Sequence, residues 1–293
     1  MTVIGIFGPT ASGKSRVSEA VAERVPAELV SADAMQVYRG LPILTNQSAA
    51  ALVAIWPLEH EASVGEYAPL AQEAVDRALA AGKTPVVVGG TGLYFRAALG
   101  ELELPPPPAA GARERWARLY DEDRAQAVRT LLERDPGAGS IHPNDRKRVI
   151  RALELAELGR TLRPDDPELW APRFRHAAVV VGLDVPKDEL EERIVRRTRE
   201  MFERGVQDEV RAALAGPIST TARKTLGLDE VATLPPDEAE RAIVVRTRRY
   251  AAYQRKWMRR IPGIVIVAGD RPAGEIADDI VELARTRERV PRR

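Results

Sequence analysis

The sequence predicts an α/β fold in which helices flank a parallel sheet and a helical lobe is inserted into the sheet domain. Three observations carry this. A short apolar strand, Val3 to Phe7, runs straight into a glycine-bounded turn and then into a helical pattern at Val17, Ala20 and Val21. The valine run Val86 to Val88 reads as a strand buried on both faces, as strands of parallel sheets are. Beyond the stiff connector Pro105 to Pro108 the pattern changes to charged amphipathic helices, until a second apolar strand, Ala177 to Asp184, returns to the sheet.

The turn after the first strand is Gly8-Pro9-Thr10-Ala11-Ser12-Gly13-Lys14-Ser15, which matches the P-loop pattern G-x-x-x-x-G-K-[ST]. Its curled backbone aims N–H groups at phosphate oxygens, Lys14 adds a cation, and the Ser15 hydroxyl is suited to Mg²⁺. The sheet is therefore expected to be P-loop NTPase-like. The next strand, Ala27 to Asp33, delivers a carboxylate at its end, where open α/β sheets bind ligands, so Asp33 is expected beside the phosphates; the alternative is a helix cap. The segment Met35 to Gly40 has no core period and reads as a functional loop. A helix from Tyr67 to Ala81 leads to the strand Thr84 to Val88, which opens into Gly89-Gly90-Thr91-Gly92, where Thr91 offers a hydroxyl to a ligand.

The helical lobe is placed at 113–176, between core segments 1–112 and 177–284. Its helices are Arg113 to Glu133 and Asn144 to Gly159, and it closes on the proline-rich piece Pro164 to Pro172. A helix from Glu189 to Ala215 then carries Arg193, Arg197 and Arg204 off its apolar face. A further helix, Asp237 to Arg260, interleaves Arg246, Arg248, Arg249, Arg255, Lys256, Arg259 and Arg260 with Tyr250, Tyr253 and Trp257. This stripe is either a nucleic-acid surface or a solvated face whose aromatics pack on the core. A strand Ile264 to Val267 and a helix to Leu283 follow, with a basic tail at 285–293 expected to be disordered.

Composition narrows the function. A chain of 293 residues without cysteine excludes disulfides, cysteine-ligated zinc and thiol nucleophiles, and the histidines, His60, His142 and His176, are too scattered for a zinc site. No apolar run is long enough to span a bilayer and the start lacks a signal core, so a cytoplasmic protein without membrane contact is expected. With a net charge of +1, any affinity for nucleic acid must come from local clusters of basic residues.

Several motifs fall in one order: the P-loop; Ser31-Ala32-Asp33-Ala34-Met35-Gln36-Val37-Tyr38-Arg39-Gly40; Val88 to Phe95 around Thr91; Ile141 to Arg148 with Arg151 and Glu154; and Thr247 to Ala251 with Gln254 and Trp257. Together they resemble the tRNA dimethylallyltransferases, and the resemblance runs from residue 3 to about 260. It implies transfer of a dimethylallyl group from dimethylallyl diphosphate, with Mg²⁺, to the exocyclic amine of the adenosine 3′-adjacent to the anticodon, by a monomer that binds the tRNA anticodon stem-loop. It also implies roles. Asp33 takes the amine's proton, Thr91 orients the diphosphate, and residues 8–15 hold it, with Ser15 on the metal. The substrate tRNA would meet Asp33, Ala34, Met35, Gln36, Thr91, Arg113, Lys147, Arg148, Arg151, Arg248, Gln254 and Trp257. The chain departs from the family pattern at Leu44 to Gln47, at Gly227-Leu228-Asp229 and at Ala252-Tyr253. Two other readings compete: a small-molecule kinase holding ATP in the P-loop, with Asp33 as base, and a non-catalytic nucleotide switch or RNA-binding module.

Overall fold

The computed structural model describes residues 1–102, 104–162 and 173–289. Five strands, β1 (Val3–Phe7), β2 (Ala27–Ser31), β3 (Thr84–Gly89), β4 (Ala178–Asp184) and β5 (Val265–Ala268), form one parallel sheet in the order β2-β3-β1-β4-β5. β1 is central, and Phe7 is in register with both Gly89 and Gly182. The phosphate loop and the Gly89–Gly92 loop therefore open from the same sheet edge, on either side of the crossover point where such sheets bind ligands.

Alternate residues of the strands feed two cores. On one face Ile4, Ile6, Val86 and Val181 pack with Val17 and Val21 of α1 (Lys14–Ala22) and Ile276 and Ile280 of α11 (Ala273–Arg289). On the other, Phe7, Val87 and Val180 pack with Tyr67 of α2 (Val64–Ala80) and with Tyr94, Phe95 and Leu99 of α3 (Gly92–Leu99). Helix α3 was not expected from the pattern. Seven of its eight residues are buried, six of them in a row from Tyr94 to Leu99, so no exposed face sets an amphipathic period.

The chain divides into two compact units, Met1–Glu101 with Pro172–Arg293, and Leu102–Ala171. The second holds α4 (Ala112–Glu122), α5 (Arg124–Arg134) and α6 (Arg146–Glu157) around Trp116, Tyr120, Leu131, Val149, Ile150 and Leu153. At about 1.5–3 kcal/mol for each large apolar side chain, this gives the unit a core of its own. Its limits differ from the expected 113–176. Arg151 donates to the carbonyls of Pro105 and Pro106 at 3.2 and 2.6 Å, which ties the proline connector to the helices. Phe174, Arg175 and His176 belong to the sheet unit instead: Arg175 N–H donates to Leu99 O, and Arg175 and His176 both meet Asp76. The expected Pro164 to Pro172 piece lies outside the described residues, apart from its place in the chain.

Three further expectations are corrected. The helix read as 113–133 is broken at Asp123, whose side chain caps α5 by accepting from Gln126 N–H. The helix read as 189–215 is two, α7 (Lys187–Glu203) and α8 (Val206–Leu214), because Gly205 between them has φ +86°. The tail expected to be disordered is helical to Arg289, since Ile280, Val281 and Ala284 anchor α11 and Arg287 donates to Ala178 O; positions 290–293 lie outside the described residues. Helices α9 (Leu228–Thr233) and α10 (Pro236–Met258) complete the sheet unit.

Candidate active site

The phosphate loop is shaped by its own sequence. Ala11 and Gly13 take φ of +62° and +92°, which turns the chain so that α1 begins at Lys14 with its amino end facing the loop's hollow. Lys14 Nζ donates to Pro9 O at 2.8 Å, folding the side chain back over the loop. The loop forms one wall of a cavity of ≈ 470 Å³ that is also lined by Ser15, Asp33, Arg197, Tyr250 and Gln254.

Asp33 lies two residues beyond β2. One carboxylate oxygen accepts from Met35 N–H at 3.0 Å, and the other has no hydrogen bond to the described residues. The residue closes a tight turn rather than capping a helix, and it lines the cavity. Thr91 stands opposite, where its hydroxyl accepts from Ala34 N–H at 3.2 Å. Tyr250 of α10 lies beside Thr91 and Gln254. Burial raises its phenol pKa and the Asp33 charge raises it further, so Tyr250 is a neutral donor at any ordinary pH. Gln36 bonds Ser31 Oγ at 2.9 Å and donates to Asn46 O at 2.9 Å, which pins the 45–46 segment at the cavity rim.

Arg197 is the site residue that the sequence alone did not single out. It reaches from α7 to donate to the Thr10 hydroxyl at 2.7 Å, and its Nε is buried without a partner among the described residues. Desolvation lowers its pKa and Asp33 opposes the shift, yet a guanidinium stays charged. Desolvation likewise pushes the Lys14 ammonium down to about 8, against the pull of Asp33 and with the help of repulsion from Arg197. Two desolvated cations, Lys14 and Arg197, thus line the same cavity as the Asp33 carboxylate, an arrangement suited to a polyanion.

The sequence model of the IPP transferase family matches residues 36–261. The chain is 37% identical over 304 residues to the tRNA dimethylallyltransferase of Streptomyces griseus, covering 97% of each chain. This chain belongs to the IPP transferase family. A relative from Salinispora arenicola with the same description is 39% identical over 279 residues, covering 90% of this chain and 81% of its own. Among solved structures, the tRNA isopentenylpyrophosphate transferase of Bacillus halodurans superposes with a TM-score of 0.71 at 28% identity over 98% of both chains. A eukaryotic dimethylallyltransferase solved acting on tRNA superposes with a TM-score of 0.79 over 96% of this chain and 80% of its own; at 22% identity it speaks to the fold.

Within this IPP transferase the residues expected to touch tRNA separate into groups. Asp33, Ala34, Gln36 and Thr91 surround the cavity or its adjoining turn, with Met35 between them. Gln254 is 2% exposed and bonds only to protein loops, which removes it from the outer surface. Trp257 is half-buried, packed on the sheet core and so close to Gly92 that a Cβ there would lie 2.0 Å from its ring. Arg248 pairs with Glu191 at 3.3 Å. In the helical unit Arg113 and Arg151 both bind the buried carboxylate of Glu154, each at 2.8 Å, whereas Arg148 is 58% exposed with a looser contact to Asp145 at 3.5 Å. Lys147 is exposed on the first turn of α6. The basic stripe of α10 is thus not one free face. Arg246 and Arg255 are also engaged, with Glu230 and Asp184, and the exposed line is Arg249, Tyr253 and Lys256, at i, i+4 and i+7.

Two of the departures from the family pattern meet in space. Leu44 and Leu228 are buried in one cluster with Leu41, Val206 and Val210, and a Cβ on Gly227 would lie 2.9 Å from Leu44 Cδ1. Glu209 of α8 fixes the same loop by accepting from the N–H groups of Ile43 and Leu44 at 2.7 and 2.8 Å. Apolar packing and a carboxylate over paired amides hold this loop.

Proposed function

We propose that this chain is a tRNA dimethylallyltransferase that moves the dimethylallyl group from dimethylallyl diphosphate to the exocyclic amine of the adenosine 3′-adjacent to the anticodon. The observation that carries the reading is a polyanion receptor and a carboxylate sharing one cavity. In the reaction the allylic C–O bond breaks, its electrons leave with the diphosphate, and the amine nitrogen forms the new C–N bond. Lys14, Arg197 and the loop N–H groups stabilise the charge gathering on the leaving group, and Asp33 receives the proton that the amine loses. Thr91, whose hydroxyl accepts from Ala34 N–H, orients the diphosphate end of the donor.

Mg²⁺ fits this donor set. The Ser15 hydroxyl and diphosphate oxygens are hard oxygen ligands, and the described residues contain no cluster of three or more His, Cys, Asp or Glu that would form a separate cage. Bound there, the ion neutralises charge on the leaving diphosphate. The adenine must leave its stack to reach the cavity, and the exposed Arg249, Tyr253 and Lys256 offer charge and an aromatic face to the anticodon loop. No helix among the described residues is long and apolar enough to cross a membrane. The kinase reading is not favoured by relatives that carry the dimethylallyltransferase description. The deciding experiment incubates the protein with Mg²⁺, dimethylallyl diphosphate and unmodified tRNA and digests the product. Isopentenyladenosine by mass spectrometry is the expected result; its absence, with phosphate transfer from ATP to a small acceptor instead, would return the kinase reading.

A further inference from the structure

Gln254 faces inward from α10, and both ends of its amide are engaged. Oε1 accepts from Thr10 N–H at 2.7 Å, and Nε2 donates to Gly90 O at 2.9 Å. A donor on one side and a carbonyl on the other fix the amide's orientation, because the flipped form would face N–H with N–H and oxygen with oxygen. The two partners lie on the loops that leave the carboxyl ends of β1 and β3. The fit is tight: a Cβ on Gly90 would stand 2.2 Å from Nε2 and 2.9 Å from Gly8 O. Thr10 is thereby held twice, through its N–H by Gln254 and through its hydroxyl by Arg197. One helical turn earlier, Tyr250 lies beside both Gln254 and Thr91.

We propose that Gln254 is a positioning residue of the diphosphate site: it clasps the phosphate loop to the Gly89–Gly92 loop and sets the shape in which the loop meets its anion, and it does not touch tRNA. The identity of the anion as a diphosphate rests on the function proposed above. With its N–H taken by Gln254, Thr10 contributes only its hydroxyl side, and the anion is left to Lys14 and the amides that follow. Arg249, Tyr253 and Lys256 are exposed, on a different side of α10 from Gln254. One helix therefore carries an inner face that shapes the donor site and an outer face open to a partner.

The test is Gln254→Met, which keeps the side chain's bulk and removes both hydrogen bonds. Calorimetry with inorganic diphosphate and Mg²⁺ is expected to show binding weakened by about tenfold, with tRNA affinity in the absence of diphosphate kept within about twofold. In turnover the KM for dimethylallyl diphosphate rises and the KM for tRNA does not. Gly90→Ala, which displaces the amide from the other side, reproduces the loss, and the two changes together are less than additive. If Gln254→Met does not fold, Gln254→Glu, which keeps the acceptor for Thr10, is measured in its place and the same direction is expected. Diphosphate binding equal to the parent's overturns the proposal. So does a loss confined to tRNA affinity, or a lower kcat with both KM values unchanged, as a smaller folded fraction would give. A parent that makes no isopentenyladenosine would defeat the reaction reading alone, and the diphosphate comparison would still decide the role of Gln254.

Discussion

Lys14 and Arg197 are two cations set on one loop, Lys14 on the Pro9 carbonyl and Arg197 on the Thr10 hydroxyl, and the repulsion between them adds to the desolvation that brings the Lys14 pKa to about 8. The protonated ammonium is the form that binds an anion. Affinity for diphosphate is therefore full below pH 8 and falls as pH rises through it, and binding above pH 8 takes up a proton because the incoming negative charge restores the ammonium. Calorimetry in two buffers of different ionisation enthalpy measures this uptake directly. Arg197→Ala removes one source of repulsion, so the pH at which affinity falls moves upward even as affinity itself drops. For folding the sign is separate. The unfolded chain holds the Lys14 proton up to about 10.5, so the cost of burying this charge is greatest below pH 8 and is relieved as pH rises from about 8 to 10.5.

In the proposed reaction Asp33 serves as the base, and its carboxylate lines the cavity. Asp33→Asn keeps the acceptor for Met35 N–H and removes the basicity, so folding and tRNA binding stay close to the parent while turnover falls by about a hundredfold or more. Single-turnover assays with saturating donor isolate this step. Thr91→Ala also slows the reaction and spares tRNA affinity, because its hydroxyl is tied to Ala34 N–H in the turn that carries Asp33. A Thr91→Ala protein that lost only tRNA affinity would place this residue at the other end of the substrate.

Much of the site was legible because its parts are contiguous in the chain. The phosphate loop, the strand that ends near Asp33 and the valine strand that ends near Thr91 each announce themselves within ten residues, and the parallel sheet then brings their ends to one edge. Arg197 could not be found this way. It lies on the polar side of an ordinary amphipathic helix, 187 residues from the threonine that it meets, and only the packing of α7 reveals the contact. The placement of Gln254 was illegible for the opposite reason. It sits inside a basic and aromatic stripe that reads as a surface, whereas a helix alternates faces every few residues and Gln254 is on the buried one. The same rotation separates Trp257, packed on Gly92, from Tyr253, which is 54% exposed.

The Glu154 carboxylate carries a structural prediction. It is buried with two arginines, Arg113 and Arg151, at 2.8 Å each, and Arg151 also ties the Pro105–Pro106 connector to α6. Arg151→Ala leaves a buried carboxylate with one partner and releases the connector, at a cost of about 1.5–3 kcal/mol, the range for hydrogen bonds to charged groups. Denaturant unfolding followed through tryptophan fluorescence reads the loss. Glu154→Gln should cost a similar amount and leave both guanidinium groups more mobile. An Arg151→Ala protein as stable as the parent, but weaker on tRNA, would show that Arg151 is reserved for the nucleic acid.

The last prediction separates charge from stacking and from packing. Arg249 and Lys256 on the outer face of α10 are exposed with no ion pair among the described residues, and Arg148 in the helical unit keeps only a loose one. A chain of net charge +1 holds a polyanion through such clusters, so its tRNA affinity should fall steeply with salt. Replacing any one of these three by alanine flattens the slope of log affinity against log salt by about 0.7–0.9 if that residue neutralises one phosphate, and leaves the modified base unchanged. Arg248 and Arg255, already paired with Glu191 and Asp184, should change it less. Tyr253→Ala behaves differently: losing a ring stacked on an unpaired base costs about 1–3 kcal/mol with little change of slope. Trp257→Ala is a third case, because its ring covers Gly92 and the sheet core. It should lower thermal stability, towards the low end of the about 3–5 kcal/mol typical of a fully buried tryptophan, before it alters tRNA affinity. A salt series on Arg148→Ala, Arg249→Ala, Lys256→Ala, Tyr253→Ala and Trp257→Ala, with melting temperatures beside it, sorts the three behaviours. Parental slopes for all three charge variants would move the tRNA surface off α10 and α6.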